Sequence, residues 1–387
     1  MENIEEKACL CALGKIFGFK PKIALALIEH FGDAHEIFKV GRHELEMLLG
    51  PHSQYIDVIR KSAVYDAAEE LERYAKLDIS FLGWTEEFYP SSLKECADPP
   101  VGLYIRSKTH ISRLWPQKTI AVVGTRDVSS YGKEWCAKCI HAIASSKEKP
   151  LIVSGLALGT DICAHKTAVE AGLPTIAVMA TGPESIYPYR HTGFAEEMYK
   201  IPGCALVTDY PPGTAPLAIH FLRRNRIIAG LSDATVVIES KIKGGAMTTA
   251  RLAFSYDRDV YALPGRVDDI RSQGCNTLIR SKIAEPLTSI PEFLDSIGLE
   301  VVRSLDTITD IEILSSTYSR HISSDRITRM ACLLKVIRQR RGITIEELAQ
   351  ESGLSYAGTV ELTSVLETDG FITVDLLQRC SITVNKR

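Results

Sequence analysis

The sequence predicts an α/β protein: a doubly wound parallel sheet, with a small helical domain before it and a winged-helix domain after it. Three observations carry that expectation. Between residues 78 and 294, short apolar runs alternate with helical patterns, which is how a parallel sheet covered on both faces reads. Most of those runs stop at a glycine or at a polar residue that opens a loop, so the loops should gather along one edge of the sheet. Outside this stretch the pattern is helical on the N-terminal side, and three helices followed by a hairpin on the C-terminal side.

Residues 1–76 read as helices at 7–16, 21–31, 35–38, 43–48 and 55–75. Pro21 suits a first helical position and Gly32 a helix stop, and Ala24, Leu25, Leu27, Ile28 and Phe31 make an apolar face between them. The turn Gly18-Phe19-Lys20-Pro21-Lys22 resembles that of a helix-hairpin-helix DNA-binding unit, with Lys20 in place of the second glycine. With ten Lys/Arg against thirteen Asp/Glu, the segment is expected to be a helical scaffold. Over 77–300 the strands are expected at 79–82, 102–105, 120–123, 151–153, 175–179, 206–207, 235–238 and 260–263.

A linker rich in Ser, Thr and Asp, 301–324, leads to the last domain, 325–387. Helices at 327–338, 344–351 and 355–367, with a hairpin of 371–374 and 380–384, give the order of a winged helix. Between Gly342 and Gln378 there is no Lys or Arg, while Glu346, Glu347, Glu351, Glu361, Glu367, Asp369 and Asp375 are acidic. Such a recognition helix would repel phosphate. The cluster Lys335, Arg338, Arg340 and Arg341 closes the first helix, where cations complement the macrodipole. A protein-contact module or an inert appendage is expected here.

With 387 residues, 45% hydrophobic and 24% charged, the chain is an ordinary multi-domain globular protein. A net charge of −3 excludes coating of nucleic acid by bulk charge, so any such site is a local patch. The acidic start lacks an apolar core and no run is long enough to span a bilayer, so a cytoplasmic location without membrane contact is expected. Cysteines scattered through apolar segments (Cys9, Cys11, Cys163, Cys204, Cys332) read as core residues. Cys136 and Cys139 form a CxxC inside a predicted helix without a second pair at zinc spacing, so no metal is expected.

Four stretches at strand ends carry chemistry. Gly124-Thr125-Arg126 follows a β-branched run and precedes a helix, which places Arg126 to meet an anion beyond the sheet edge. Ser154-Gly155 and Gly159-Thr160-Asp161 follow the next strand, with glycines that let backbone approach a ligand. Asp161 and His165 share a helix face and are either a pair at the site or a capping Asp and a packed His. Arg223-Arg224-Asn225-Arg226, interleaved with Phe221, Leu222, Ile227 and Ile228, offers planar forks for phosphate oxygens. Lys241-Ile242-Lys243-Gly244-Gly245, followed by Thr248 and Thr249, reads as a phosphate cradle at a helix start. It is not a Walker motif, and Gly124-Thr125-Arg126 is not a dinucleotide fingerprint. With no set of nucleophile, base or metal ligands, binding of phosphates is better supported than catalysis, and no catalytic residue or cofactor is expected.

Together these stretches resemble the DprA/Smf family of bacterial DNA-processing proteins. The resemblance runs through Val123-Gly124-Thr125-Arg126, Ser154-Gly155, Ala164-His165, Ile186-Tyr187-Pro188, Arg224-Asn225-Arg226, Gly245 to Arg251, Ala262-Leu263-Pro264-Gly265 and Gly274-Cys275-Asn276. It departs from the family at Leu222, Cys275 and Lys282-Ile283. The resemblance implies an extended Rossmann domain preceded by a sterile-alpha-motif-like domain, and a pocket that binds single-stranded DNA. It also implies loading of RecA recombinase in natural transformation and a homodimer formed through the Rossmann domain. Arg126 would contact a phosphate, and Gly124, Thr125, Ser154, Gly155, Arg224, Asn225, Arg226, Lys243, Gly244, Gly245 and Thr248 would line the pocket. The rival is a phosphoribohydrolase of the lysine-decarboxylase-like kind, whose Pro-Gly-Gly-x-Gly-Thr-x-x-Glu signature is incomplete at Gly244-Gly245. Glu239, the nearby acid, is expected to cap a helix or orient a loop.

Overall fold

Each of the eight apolar runs forms a strand in the computed structural model, which describes residues 2–115, 118–300, 305–318, 322–340 and 342–383. The chain divides into two units, Met1–Val301 and Val302–Arg387. The first opens with α1 (Glu2–Phe17), α2 (Pro21–Phe31), α3 (Ala34–Ile37), α4 (Arg42–Leu49) and α5 (Lys61–Ala75). It continues with β1 (Ile79–Gly83), α6 (Ser91–Lys94), β2 (Gly102–Arg106), β3 (Thr119–Val123), α7 (Ser130–Ala144), β4 (Leu151–Ser154), α8 (Thr160–Glu170) and β5 (Thr175–Val178). The rest is α9 (Thr192–Met198), β6 (Ala205–Thr208), α10 (Ala218–Leu231), β7 (Ala234–Val237), α11 (Gly245–Ser255), β8 (Asp259–Ala262), α12 (Gln273–Arg280), β9 (Glu285–Pro286) and α13 (Ile290–Ser296). The helix expected over 55–75 begins only at Lys61, after a run of turns.

The strands form one sheet in the order β1-β2-β6-β5-β4-β3-β7-β8-β9. From β6 to β9 every pair is parallel, while β1 and β2 join antiparallel at one edge. Strand β9 escapes sequence reading because it is two exposed residues. The central strands are buried along their whole length, as parallel strands under helices on both faces must be. Ala121, Val123, Val153, Ile176 and Val178 pack with Ile227, Ile228, Met247 and Ala250 of α10 and α11. Ile120, Val122 and Ile152 turn the other way, toward Cys136, Cys139 and Ile140 of α7 and Ala164 of α8. The chain winds outward from β3 to β6, and α10 then returns it to β7, beside β3. That reversal is the topological switch point, where open parallel sheets bind ligands.

The helical segment does not stand apart from this sheet. Leu10, Leu13, Phe17, Leu27, Ile28 and Ala67 share a core with Ile79, Phe81 and Tyr104 of β1 and β2. The change of pattern near residue 77 therefore falls inside one packed unit. Two glycines make the joint possible: Gly83 and Gly102 face each other in the β1–β2 register. A Cβ on Gly83 would lie 2.4 Å from Leu10 Cδ1, and one on Gly102 2.0 Å from Phe81 Cζ.

In the second unit, residues 305–318, expected as linker, form α14 (Leu305–Tyr318). Its apolar stripe, Ile311, Leu314 and Tyr318, has helical spacing but is diluted by Ser, Thr and Asp, and so reads as spacer. It packs with α15 (Ser324–Gln339), followed by β10 (Ile343–Thr344), α16 (Ile345–Ser352), α17 (Tyr356–Thr368), β11 (Ile372–Val374) and β12 (Arg379–Ile382). The sheet order is β10-β12-β11, all antiparallel. Two of the basic cluster are answered by acids: Arg338 Nη2 donates to Asp310 Oδ1 at 2.7 Å, and Arg340 meets Glu347 and Glu351. Arg341 and the last residue of the expected hairpin, 384, lie outside the described residues. Among the described residues no helix is long and apolar enough to cross a membrane.

Gly83→Ala drives a methyl group into Leu10 at the joint. The expected outcome is a loss of about 1–3 kcal/mol, as for other overpacked cores, measured as a lowered urea midpoint.

Candidate nucleic-acid interface

Beyond the strand ends at the switch point lies an open cavity of about 810 Å³. Its first wall is the β3–α7 loop, Gly124, Thr125, Arg126 and Asp127. This loop is fixed from three sides. Thr160 N donates to Thr125 O at 3.1 Å, and neighbouring Gly159, at φ +79°, has no room for a Cβ, which would lie 2.3 Å from the same oxygen. Arg271 holds Asp127 by its carbonyl (3.0 Å) and its carboxylate (2.9 Å). Buried Glu239 accepts from Ser129 N at 2.9 Å and Ser129 Oγ at 2.5 Å, the loop-orienting role expected of it.

Arg126 is exposed on that braced loop and, among the described residues, makes no ion pair. Its guanidinium carbon lies 5.3 Å from the centre of the Phe221 ring. The Tyr187 ring, 45% exposed, lies 5.4 Å from Phe221. A cation and two rings thus form a short ladder along the cavity.

The facing wall is the β7–α11 loop, Ser240, Lys241, Lys243, Gly244 and Gly245. Gly244 is the helix N-cap, and a Cβ there would lie 2.4 Å from Ser240 Oγ. No side chain caps α11 and no acid stands in its first turn, so its leading N–H groups and positive dipole end are left for an anion. Lys241 and Lys243 are exposed and, among the described residues, unpaired. Thr249, 2% exposed, lines the cavity in place of the expected Thr248, which sits one step around the helix.

The arginines of α10 part company, since neighbours on a helix point in different directions. Arg224, 4% exposed, lines the back of the cavity and donates Nη1 to Gly155 O at 2.7 Å and to Val178 O. Burial lowers it to about 10, so it remains a cation at neutral pH. Asn225 accepts from Arg224 Nε at 3.2 Å and donates to Gly245 O at 3.4 Å, which ties α10 to the start of α11. Arg226 turns away from the cavity and pairs with Asp209, with a further bond to Asp98 O at 2.5 Å. Its assignment to the pocket is corrected accordingly.

Ser154 and Gly155 are also structural. Ser154 Oγ donates to Val122 O at 2.6 Å, tying β4 to β3. Gly155 makes room for Arg224, whose Nη2 would lie 2.4 Å from a Cβ there. Asp161 accepts from the N–H groups of Gly155 (3.2 Å) and Ala157 (3.4 Å), and burial raises its carboxyl against the pull of Arg224. His165 is wholly buried, with Nδ1 2.8 Å from Thr175 Oγ1. Asp161 is a loop cap that lines the cavity and His165 a packed histidine, with no hydrogen bond between the two among the described residues. Cys136 and Cys139 are both buried in the core beneath α7.

A parallel sheet with a cation-lined crevice at its switch point defines an α/β protein of the Rossmann-like kind. The sequence pattern of the family described as DNA recombination-mediator protein A matches residues 80–298, and the chain belongs to that family. Protein Smf of Escherichia coli is 38% identical over 194 residues, a match spanning 50% of each chain. The X-ray structure of DNA processing protein A from Streptococcus pneumoniae superimposes with a TM-score of 0.62 at 28% identity, covering 74% of this chain and 96% of that one. The DNA processing protein A structure from Helicobacter pylori, described for its single-stranded DNA binding mode, gives 0.50 at 29% identity over 57% of this chain and 95% of that one.

Arg126→Ala is expected to leave stability within about 0.5 kcal/mol, as at other free surface positions. Arg226→Ala strands the carboxylate of Asp209, whose side chain is 12% exposed, and is expected to cost about 3–5 kcal/mol. Thermal unfolding of the two variants side by side checks this. A second expectation concerns acid. Burial, with Arg224 and His191 nearby, lowers His165 from 6.5 to about 3, so the unfolded chain holds the extra proton between those values. Stability therefore falls as pH drops through that window, by up to about 1.4 kcal/mol per pH unit. In acid titrations followed by circular dichroism, His165→Gln should flatten this slope.

Proposed function

We propose that the chain binds single-stranded DNA in the switch-point cavity without reading its sequence. The ladder of Arg126, Phe221 and Tyr187 beside the exposed Lys241 and Lys243 carries this reading. Sequence-tolerant strand binding needs ring faces for bases and cations for the backbone, and here both line one crevice. Phosphates would be met by Arg126, Lys243 and the backbone of Gly124, Thr125, Gly244 and Gly245, with Arg224 and Asn225 as the frame behind them. The family's description as a recombination mediator supports a binding role rather than catalysis. So does Glu239, which is buried and occupied by Ser129, and so is not free to act as the general base a phosphoribohydrolase requires.

On the same reading the protein works in the cytoplasm, protects incoming strands and loads RecA recombinase on them in transformation and recombination. It would do so as a homodimer formed through the α/β unit, so that two cavities share one strand. The H. pylori relative, described for its single-stranded DNA binding mode, supports the choice of ligand.

Fluorescence anisotropy with labelled oligo-dT and a duplex of equal length tests the proposal. The expected result is a strong preference for the single strand. Tyr187→Ala should lose about 1–3 kcal/mol of affinity, the usual worth of one stacked base. Equal affinity for duplex, or full affinity in Tyr187→Ala, would sink it.

A further inference from the structure

The turn between α1 and α2, singled out for its likeness to a DNA-binding hairpin, has a definite place beside the cavity. Phe19 leans on the outer face of α10: its ring centre is 5.5 Å from those of Tyr210 and His220. The guanidinium carbon of Arg223 lies 3.8 Å from the Phe19 ring centre. Arg223 follows Phe221 and Leu222 of the cavity wall directly and is exposed. Next in sequence to Phe19, exposed Lys20 lies 5.7 Å from the centre of the Tyr55 ring. Lys20, His52, Ser53 and Tyr55 line a second, shallower cavity of about 450 Å³. Lys22, two residues further on, is exposed. Among the described residues none of Lys20, Lys22 and Arg223 forms an ion pair. Rings and unpaired cations therefore form two groups, Tyr187, Phe221 and Arg126 at the cavity and Arg223, Phe19, Lys20 and Tyr55 beyond it, with Phe221 and Arg223 two residues apart on α10.

From this we infer a second subsite for the backbone and bases of a single strand, centred on Phe19, Lys20 and Arg223. It continues the path of a strand that leaves the cavity over α10, and it depends on the cavity taking single-stranded DNA as proposed above. The acid-rich composition of residues 1–76 hides the subsite, because only the hairpin turn and the turns around Tyr55, not the whole helical segment, border the path. The stack of Arg223 on Phe19 leaves the edge of the guanidinium free to donate to phosphate oxygens, while the Tyr55 pocket gives a base a ring to lie on.

The test uses the full chain with oligo-dT of two lengths, about 6 and about 20 nucleotides, spanning the site sizes usual for such grooves. The variants are Lys20→Gln with Lys22→Gln, and separately Arg223→Gln, all at exposed positions where folding is not at stake. Both are expected to match wild type on the short oligonucleotide and to bind the long one about tenfold more weakly. The salt dependence of long-oligonucleotide binding should be shallower by about 0.7 in slope for each phosphate that the variant no longer neutralises, a change that mere loosening of the hairpin would not produce. Equal affinity and equal slope on the long strand would overturn the subsite while leaving the cavity reading intact. Weaker binding at both lengths would also overturn it. A wild-type chain that binds neither length defeats the cavity reading and the subsite together.

Discussion

The site depends on one buried cation. Arg224 sits behind the crevice and donates to the carbonyl oxygens of Gly155 and Val178, at the ends of two adjacent parallel strands. Carbonyls there point out of the sheet with no further strand residue to receive them, and an unpaired buried carbonyl is costly. One guanidinium satisfies both. The arrangement requires Gly155 to lack a side chain and Asp161 to lie close enough to offset the buried charge. The loops after β4 and β5 and the helix that returns the chain to β7 are thereby locked to one another.

The three arginines of α10 illustrate how one charged run divides its work. A helix turns each successive residue by about a quarter of the circle, so Arg223 reaches out to Phe19, Arg224 inward to the strand ends, and Arg226 to Asp209 on the remaining side. Charge alone suggested three ligands for phosphate. Geometry leaves Arg226 out of the pocket altogether and turns Arg224 into the frame, while the free cations of the crevice come from the loops, at Arg126, Lys241 and Lys243.

Much of the fold was legible because parallel strands buried on both faces are largely apolar, as β3 to β7 are, while the antiparallel edge strand β1 keeps an apolar run around exposed Ser80. The crevice was legible at Gly124 to Arg126 and at Lys243 to Gly245, where glycines and cations mark strand-end loops. What escaped was set by partners remote in sequence. Helix α14 is held by a sparse stripe that only its packing with α15 explains, and β9 borrows its identity from β8. Whether Thr248 or Thr249 faces the cavity depends on the residue at which α11 begins, which composition does not specify. The docking of α1 on β1 rests on two glycines whose need is visible only once Leu10 and Phe81 are in place.

The bracing of the Arg126 loop by Thr160, Arg271 and Glu239 also decides where the entropy of binding falls. A loop already held in its working shape loses little freedom when a ligand arrives, so the conformational cost lies with the ligand. If that ligand is a single strand, as proposed, one already folded into a stable hairpin would also have to melt, and that cost would be subtracted from its affinity.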